Sequence, residues 1–250
     1  SWVQNLKISL ITVSLNAEST ISRCIESVIT QTYKNIQYII IDGGSNDSTI
    51  SIIDKYKDFI DIFISEPDNG LYDAMNKGIR MADGKVIGML NADDFFTDRN
   101  VISKIAGVFM AQNANILYAD LDFINTRGDI VRKWRSGRYK HNMFSWGWMP
   151  PHPTFYCKRK LFDEMGYYDL EYGTAADYEL MLRFMHFNKV NAIYLKEVTI
   201  MMQIGGISNK SFSNRVKGLL SDMKAMRNNG ILFPFITLLL KPLRKIIQYF

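Results

Sequence analysis

The chain has 250 residues, enough for one large domain, and 47% of them are hydrophobic, which excludes wholesale disorder. The formal net charge of +5 favours an anionic partner: a nucleotide, a phospholipid surface or nucleic acid. Two cysteines, Cys24 and Cys157, lie far apart without C-x-x-C or zinc-type histidine spacing, which is typical of a reduced, cytosolic protein without structural zinc.

Strands and helices alternate along the first part of the chain. Apolar and β-branched runs predict strands at 8–15, 38–41, 61–65 and 85–90. Helical periodicity between them predicts helices at 16–30, 47–56 and 69–81. This alternation predicts a parallel sheet with helices on both faces, and ligands of such sheets bind beyond the carboxyl ends of the strands. We therefore expect the polar segments at these ends to converge: 15–17, 42–45 and 91–94.

The pattern loosens after Asn100. It predicts a helix at 101–111, a hairpin at 116–124 and 129–134, and a helix at 174–187. The segment 135–153 is rich in Trp, Gly, Pro and basic residues, and we interpret it as a loop over a site. Its Trp146 and Trp148 are suited either to stacking on a sugar or to packing.

A short acidic run, Asn91-Ala92-Asp93-Asp94, follows the apolar stretch at 85–90. Two adjacent carboxylates concentrate negative charge, and Mg²⁺ or Mn²⁺ would neutralise it through hard oxygen ligands. The alternative is a solvated turn before the next helix, because Asp and Asn are common turn residues. The run alone does not decide between a metal site and a turn.

Two earlier segments place polar groups at a helix start. After the second strand, Asp42 is positioned to accept from a nucleotide base or ribose hydroxyl, although Asp42-Gly43-Gly44-Ser45 also suits an ordinary tight turn. In 65–79, an amphipathic helix explains the apolar positions. It does not explain the polar groups crowded at its start: Asp73, Asn76 and Lys77.

Two later residues are suited to chemistry. Asp177, at the start of the late helix, is either a general base whose pKa burial can raise or a capping partner of Thr174. Glu179 and Arg183 have the i, i+4 spacing of an ion pair. His152 lies between two prolines that fix its backbone, so it is either structural or a metal or phosphate contact.

Together these residues resemble the family 2 glycosyltransferases of the GT-A fold. The resemblance is greatest to the bacterial branch that builds O-antigen, capsule and colanic-acid-type polysaccharides. It covers residues 6–208 and is carried by motifs in the family's order and spacing: Ile11-Thr12-Val13-Ser14-Leu15-Asn16, Ser27-Val28-Ile29-Thr30-Gln31-Thr32-Tyr33, Asp42-Gly43-Gly44-Ser45, Ser65-Glu66-Pro67-Asp68-Asn69-Gly70-Leu71-Tyr72-Asp73-Ala74-Met75-Asn76-Lys77-Gly78, Asn91-Ala92-Asp93-Asp94 and Ala175-Ala176-Asp177-Tyr178-Glu179-Leu180. It implies an α/β fold with a mostly parallel sheet flanked by helices. It also implies a glycosyltransferase domain at 1–208 and a C-terminal helical extension at 209–250.

The resemblance implies roles for single residues. Asp177 would be the catalytic base. The residues implied to hold Mg²⁺ or Mn²⁺ at the donor diphosphate are Asp93 and Asp94, with His152 as a further candidate. The residues implied to bind the nucleotide are Asn16, Asp42, Asp68, Lys77, Asn91 and Asp93. Three positions depart from the family's pattern of acids: Gly43 after Asp42, Asn91 at the first position of D-x-D, and Ala176 before Asp177.

The implied reaction is an inverting transfer from a nucleotide sugar, expected to be UDP-linked, to a saccharide acceptor carried on a polyprenyl diphosphate. A nucleotidyltransferase is an alternative, but it would need a Gly-rich basic loop after the first strand, and Ser14-Leu15-Asn16-Ala17-Glu18 has no glycine. A non-catalytic carbohydrate- or nucleic-acid-binding module would cluster basic and aromatic residues in one patch. Here the basic residues are scattered along the sequence and the carboxylates cluster, so no nucleic-acid partner is expected.

Residues 231–250 change character. An apolar segment, 231–240, is followed by Lys241, Arg244 and Lys245. It is too short to span a bilayer, no other stretch reaches the ~18 apolar residues required, and no secretion signal is visible. The segment is either a helix docked on the domain or an interfacial segment on anionic headgroups. The expected location is the cytoplasm, in the second case at the inner face of the cytoplasmic membrane.

Overall fold

The first third of the chain builds the parallel sheet that its alternating pattern predicts. The computed structural model describes residues 6–204 and 212–249. Its first elements are β1 Ile8–Ser14, α1 Ile21–Ile29, β2 Ile36–Asp42, α2 Thr49–Asp54, β3 Ile62–Ser65, α3 Leu71–Met81 and β4 Val86–Met89. The strands lie in the order β3-β2-β1-β4, and each neighbouring pair is parallel.

Later strands extend this sheet. The elements that follow are β5 Asp94–Phe96, α4 Val101–Gln112, β6 Ile116–Ile124, β7 Ile130–Trp134, β8 Tyr156–Lys158, α5 Lys160–Met165, α6 Ala176–Met181 and β9 Ala192–Gln203. Across the described residues, one nine-stranded sheet has the order β3-β2-β1-β4-β8-β6-β9-β5, with β7 paired to β6. β6 and β9 are parallel, whereas β5, β7 and β8 run antiparallel to their neighbours. The predicted fold class, an α/β fold with a mostly parallel sheet flanked by helices, is confirmed, as is the β6–β7 hairpin.

Helices cover both faces of the sheet, and β1 is therefore buried along its whole length. Ile8 and Leu10 face the core that includes α1, and Ile11 faces the core that includes α3. The close approach of α3 to β1 requires Gly78, since a Cβ there would lie 2.6 Å from Ile11 Cγ2. The glycine in this helix therefore has a packing role.

Four helices begin later than the sequence predicts: α2 begins at Thr49 rather than at residue 47, α3 begins at Leu71 rather than at residue 69, and the first and the late helix also begin later. The first begins at Ile21 rather than at residue 16, because Asn16 turns the chain after β1 with a left-handed φ of 49°. The late helix begins at Ala176, and its final segment, Leu182–Phe187, is a π-helix. Thr174 does not cap it, because the N-cap residue is Ala175 and no side chain makes a capping hydrogen bond.

A buried ion pair ties α6 to the segment that follows α5. The Nη2 atom of Arg183 lies 2.8 Å from Glu179 Oε2, and both side chains are largely buried. The guanidinium also donates to the backbone carbonyls of Met165, Gly166 and Tyr167. The predicted i, i+4 pairing is confirmed, and it holds the 165–167 segment against α6.

Two helices follow the sheet: α7 Phe212–Asn228 and α8 Pro234–Ile246. One side of α8 is docked, because Thr237 Oγ1 donates to the carbonyl of Ser145 at 2.7 Å and Lys241 pairs with Asp222 at 2.7 Å. Large apolar side chains are exposed on α8 and on the residues that flank it: Leu232, Phe233, Phe235, Ile236, Leu239, Leu243, Ile246 and Ile247. The segment is therefore docked on one side and apolar on the side that faces solvent.

The predicted boundary between residues 208 and 209 lies outside the described residues. Over 6–204 and 212–249, every helix is too short or too polar to cross a bilayer. Cys24 and Cys157 are both buried and free.

Candidate active site

The carboxyl ends of the first three strands meet at the side chain of Asp42. Ser14 at the end of β1 and Ser65 at the end of β3 donate to this carboxylate at 2.9 and 2.7 Å. The segment after β4 lies beside them, since the amide of Ala92 donates to the carbonyl of Val13. The predicted convergence of the polar segments is confirmed.

Asp42 organises this edge of the sheet from within. Its residue surface is fully buried, and its carboxylate accepts from the hydroxyls of Ser14, Ser45 and Ser65 and from the amides of Gly44 and Ser45. Burial alone would raise the pKa of Asp42, but hydrogen bonds from Ser45, Ser65 and Ser14 hold it below its usual value. This geometry argues against the predicted contact of Asp42 with a base or ribose, because both oxygens already accept from protein donors.

Asp68 occupies the space that a side chain after Asp42 would need. A Cβ at Gly43 would lie 2.6 Å from Asp68 Oδ2, so glycine at this position admits the carboxylate. The other oxygen, Oδ1, accepts from the amide of Gly70 at 2.8 Å, and Gly70 has a φ of 103° that favours glycine. Where the family pattern has an acid after Asp42, this chain has Gly43, and the carboxylate of Asp68 from the loop after β3 lies against it.

Asn16 and Lys77, both predicted to bind the nucleotide, lie near the same edge. The amide of Asn16 donates to Ser45 Oγ at 2.8 Å, and its Oδ1 accepts from the amide of Asn46 at 3.0 Å. Lys77 pairs with Glu66 at 2.5 Å, and the amide of Glu66 donates to the carbonyl at the end of β2. The structure brings both residues to the strand ends, and their contact with a nucleotide stays a prediction.

The acidic run after β4 contains oxygens that no protein donor satisfies. Among the described residues, Asn91 Oδ1 and both carboxylate oxygens of Asp94 are buried without a hydrogen-bond partner. Burial raises the pKa of Asp93, and burial together with the Asp93 charge raises the pKa of Asp94 well above its usual value, while Arg23 opposes both shifts. Two poorly neutralised carboxylates side by side fit a cation.

The oxygen donors of this run suit a hard ion such as Mg²⁺ or Mn²⁺. Asp93 is partly exposed, whereas Asp94 is 1% exposed, so Asp93 is the carboxylate that can reach an ion at the surface of the cleft. Within 6–204 and 212–249, groups of three His, Cys, Asp or Glu side chains arranged for a metal are absent. An ion at Asp93 would therefore complete its coordination with substrate phosphates and water, as Mg²⁺ commonly does.

Asp177 is partly exposed on α6, while its neighbours Ala176 and Tyr178 are buried. Its Oδ1 accepts from the amide of Tyr178 at 2.7 Å. Burial, and then the charge of Asp177, raise the pKa of Tyr72 well above its usual value, which places this tyrosine beside the carboxylate. Thr174 does not cap the helix, so a capping interaction between Thr174 and Asp177 does not explain why an acid stands at position 177.

His152 is buried on the Asp177 side of the site. It is 8% exposed, and its Nε2 lies 2.7 Å from the hydroxyl of Tyr168. Burial lowers the pKa of His152, and the charge of Asp177 opposes this shift. The hydrogen bond to Tyr168 gives His152 a structural contact, and its contact with a metal stays a prediction.

Sequence reasoning missed the aromatic pair beside Asp177. The rings of Tyr72 and Tyr168 have centroids 5.3 Å apart. Asn76 holds Tyr168 in place, because its side chain accepts from the Tyr168 amide at 3.0 Å and donates to the Tyr168 carbonyl at 2.8 Å. The sequence signal for this contact is the crowding of polar groups at the start of α3, which does not reveal a partner so distant in the chain.

The predicted loop at 135–153 divides its two tryptophans between core and surface. Trp148 is 5% exposed, its ring packs against Tyr118 and Phe144, and its Nε1 donates to the carbonyl of Ser136 at 2.8 Å. Trp146 is 63% exposed. Sugar stacking therefore stays a prediction for Trp146, and Trp148 packs.

The sheet topology is that of the GT-A fold. The fold matches S. aureus TarS 1–349 in complex with UDP-GlcNAc with a TM-score of 0.65 and 16% identity, over 92% of this chain and 73% of that one. It matches the mannosyltransferase PcManGT from Pyrobaculum calidifontis, in complex with GDP-Man and Mn²⁺, with a TM-score of 0.67 and 15% identity, over 94% and 69%. This chain spans only 39% of a longer TarS chain. At these identities the likeness shows the fold.

Residues 9–170 match the model of Glycosyl transferase family 2, and the chain belongs to that family. Over 186 residues it is 31% identical to an uncharacterized glycosyltransferase of Mycobacterium tuberculosis, covering 70% of this chain and 68% of the relative. Over 228 residues it is 26% identical to the Escherichia coli UDP-Glc:alpha-D-GlcNAc-diphosphoundecaprenol beta-1,3-glucosyltransferase WfaP, covering 90% and 87%. The protein is therefore a glycosyltransferase.

Proposed function

We propose that the enzyme transfers a sugar, with inversion, from a UDP-sugar to a saccharide carried on a polyprenyl diphosphate. The process would be the synthesis of a bacterial surface polysaccharide of the O-antigen type. The observation that carries the proposal is the Asp177 carboxylate, partly exposed between buried neighbours and without an ion-pair partner in the described part of the chain. The WfaP relative is named for a UDP-Glc donor and a diphosphoundecaprenol-linked acceptor, which supports both substrate classes.

On the donor side, Asp93 would bind Mg²⁺ or Mn²⁺, and the metal would supply charge stabilisation to the departing diphosphate. Asp68, which lies against Gly43, is the carboxylate best placed to accept from the base or ribose, because Asp42 is fully engaged. Asn16 would position the nucleotide from the turn after β1. Asp94 would add negative charge from beneath the ion without reaching it, since it is buried.

On the acceptor side, Asp177 would take the proton of the acceptor hydroxyl as the oxygen of that hydroxyl attacks the anomeric carbon. The oxygen–carbon bond forms as the bond to the diphosphate breaks on the opposite face, which inverts the configuration. A general base of this kind typically contributes about 10²–10⁴-fold to the rate. Tyr72 and Tyr168 would hold the carboxylate in an aromatic surrounding that excludes water from one side.

The test is Asp177→Asn, which removes the base and keeps the shape. We expect transfer to fall by about 10²-fold or more while UDP binding in Mn²⁺ is unchanged. Glu164→Gln, at an exposed acid on α5, is the matched control and should retain full activity. Donor hydrolysis screened over UDP-Glc, UDP-Gal, UDP-GlcNAc, UDP-GalNAc and GDP-sugars identifies the donor. Near-normal transfer by Asp177→Asn would refute the assignment of the base.

The rival functions differ in their need for nucleotide and metal. A non-catalytic binding module would bind saccharide or nucleic acid without hydrolysing a nucleotide sugar. A nucleotidyltransferase would release diphosphate from a nucleoside triphosphate. Titration of UDP with and without Mn²⁺ is the discriminating measurement, and absent or metal-independent UDP binding would contradict the proposed metal-dependent use of a UDP-sugar.

The membrane at the inner leaflet is the partner we propose for the exposed side of α8. Apolar side chains on that side adjoin Arg244 and Lys245, a combination that suits insertion among anionic headgroups. We expect the double variant Leu239→Ser, Leu243→Ser to lose flotation with phosphatidylglycerol vesicles. The control Phe59→Ser, at an exposed site distant in sequence from α8, should keep it. Unchanged flotation of the double variant would rule out α8 as the membrane contact.

A further inference from the structure

A basic cavity lies between α8, the end of β7 and the 136–149 loop. Its volume is about 380 Å³. Among the described residues, the charged side chains that line it are all cationic: Lys133, Arg135, Lys241, Arg244 and Lys245. The floor includes the buried Trp148. So many like charges around one cavity repel each other, and an anionic ligand would relieve that repulsion.

Two of the five cations already have a counter-ion. Arg135 pairs with the buried carboxylate of Asp122 at 2.6 Å, and Lys241 pairs with Asp222 at 2.7 Å. These two pairs hold the cavity's sides in place and leave little charge for a ligand.

The other three cations are not neutralised by an acid. Within the described part of the chain, Lys133, Arg244 and Lys245 have no carboxylate within ion-pairing distance. Arg244 is oriented by its Nε, which donates to the carbonyl of Trp146 at 2.8 Å and leaves its other N–H groups available. Removal of water, and then the positive charges of Lys241 and Arg132, lower the pKa of Lys245. A bound anion would stabilise the protonated form of this lysine.

Two lysines that line the cavity interact with residues of α6. The ammonium of Lys241 lies 3.5 Å from the centre of the Tyr178 ring, and Tyr178 is the residue after Asp177. The negative charge of Asp177 also reaches Lys245. Two lysines of the cavity thus connect it to α6, Lys241 by its contact with Tyr178 and Lys245 through the charge of Asp177.

The same helix that lines the cavity carries the exposed apolar row. Ile247, which is 74% exposed, also lines the cavity, so the charged cavity and the apolar surface are continuous. The C-terminal end of this region is fastened to β7, because Arg132 donates to Gln248 Oε1 through its Nε at 2.7 Å. The cavity thus offers cations at its centre and hydrocarbon at its rim.

We propose that this cavity binds the diphosphate of the lipid-linked acceptor. The saccharide would extend toward Asp177 and the polyprenyl chain would run along the apolar side of α8. A diphosphate that links a sugar to a lipid carries one negative charge on each phosphate, which three unneutralised cations can match with charge-assisted hydrogen bonds. This inference rests on the proposed function for the identity of the ligand, and on the cavity for its location.

The test measures direct binding of farnesyl diphosphate to the full chain by calorimetry in EDTA. Chelation keeps the metal-dependent donor site from competing for the probe. We expect the double variant Lys133→Ala, Lys245→Ala to bind about 100-fold more weakly, roughly tenfold for each charge-assisted contact. The charge-matched control Lys55→Ala, Lys57→Ala, at exposed lysines after α2, should bind like the original protein. Lys245→Arg should retain most of the affinity.

The outcomes separate the sources of the phosphate. Equal affinity of the double variant and the original protein, or equal affinity for farnesol and farnesyl diphosphate, would overturn the proposal. So would a double variant that loses binding to phosphatidylglycerol vesicles while it keeps farnesyl diphosphate, because the cations would then serve bulk headgroups. If farnesyl diphosphate binds as expected but UDP does not bind in Mn²⁺, the cavity is supported and the proposed UDP-sugar donor fails.

Discussion

Replacement of Asp42 by Asn tests whether this residue organises the sheet edge or contacts the nucleotide. Oδ2 accepts from the amides of Gly44 and Ser45 and from the hydroxyl of Ser65, and Oδ1 accepts from the hydroxyls of Ser14 and Ser45. Backbone amides cannot accept a hydrogen bond, whereas hydroxyls can rotate to do so. The new amide group should therefore turn its NH₂ toward Ser14 and Ser45 and keep its oxygen on the backbone amides.

This variant loses charge rather than the whole network, which sets the magnitude. Hydrogen bonds to a charged group contribute roughly 1.5–3 kcal/mol each and neutral ones about 0.5–1.5 kcal/mol, so we expect a loss of about 2–4 kcal/mol in the free energy of unfolding at pH 7. Asp42→Ala should cost more, because it removes the acceptor of all five hydrogen bonds.

The pH dependence supplies a second check. Because the folded-state pKa of Asp42 is lowered, its stabilisation is present above the unfolded pKa of about 3.9 and is lost as the pH falls through the folded pKa. The difference in urea stability between Asp42→Asn and the original protein should therefore shrink as the pH falls below about 4. A loss under about 1 kcal/mol at pH 7, with UDP affinity strongly reduced, would refute the structural role and restore the nucleotide contact.

Two further predictions use single substitutions. Glu179→Gln leaves the buried guanidinium of Arg183 without its counter-ion, so urea unfolding should show a loss of about 3 kcal/mol or more, and a loss under about 1 kcal/mol would contradict the importance of this pair. Gly43→Ala pushes a Cβ against the Asp68 carboxylate, so UDP affinity should fall about tenfold with little change in stability. Gly107→Ala on α4, where a Cβ meets open space, is its control, and an equal UDP affinity for both variants would remove Asp68 from the nucleotide site.

Local sequence patterns were sufficient to predict the strands and helices, but they did not predict which side chains contact each other. Alternation of apolar runs predicts β1 to β4 and their order along the chain, since each strand and helix is encoded by its own short segment. Asp42 looks like an ordinary turn residue because its donors come from three different strand ends. The contact of Asp68 with the space at Gly43 and the contact of Asn76 with Tyr168 likewise join segments that are separated in sequence. Such contacts depend on the packed sheet, so no local pattern reveals them.

The proposed reaction involves two diphosphates, one in the donor and one in the acceptor, and their chemical roles differ. The donor diphosphate is a leaving group whose negative charge grows as its bond to the sugar breaks, and a divalent ion at Asp93 suits a charge that changes during the reaction. The acceptor diphosphate keeps its charge throughout the transfer, so fixed cations such as Lys133 and Lys245 suffice to hold it. In this proposal Asp177 would act between the two sites, and its charge raises the pKa of Tyr72 and opposes the lowering of the pKa of Lys245. Chelation of the metal should therefore abolish donor binding and leave the acceptor cavity functional, a separation that a single shared phosphate site would not allow.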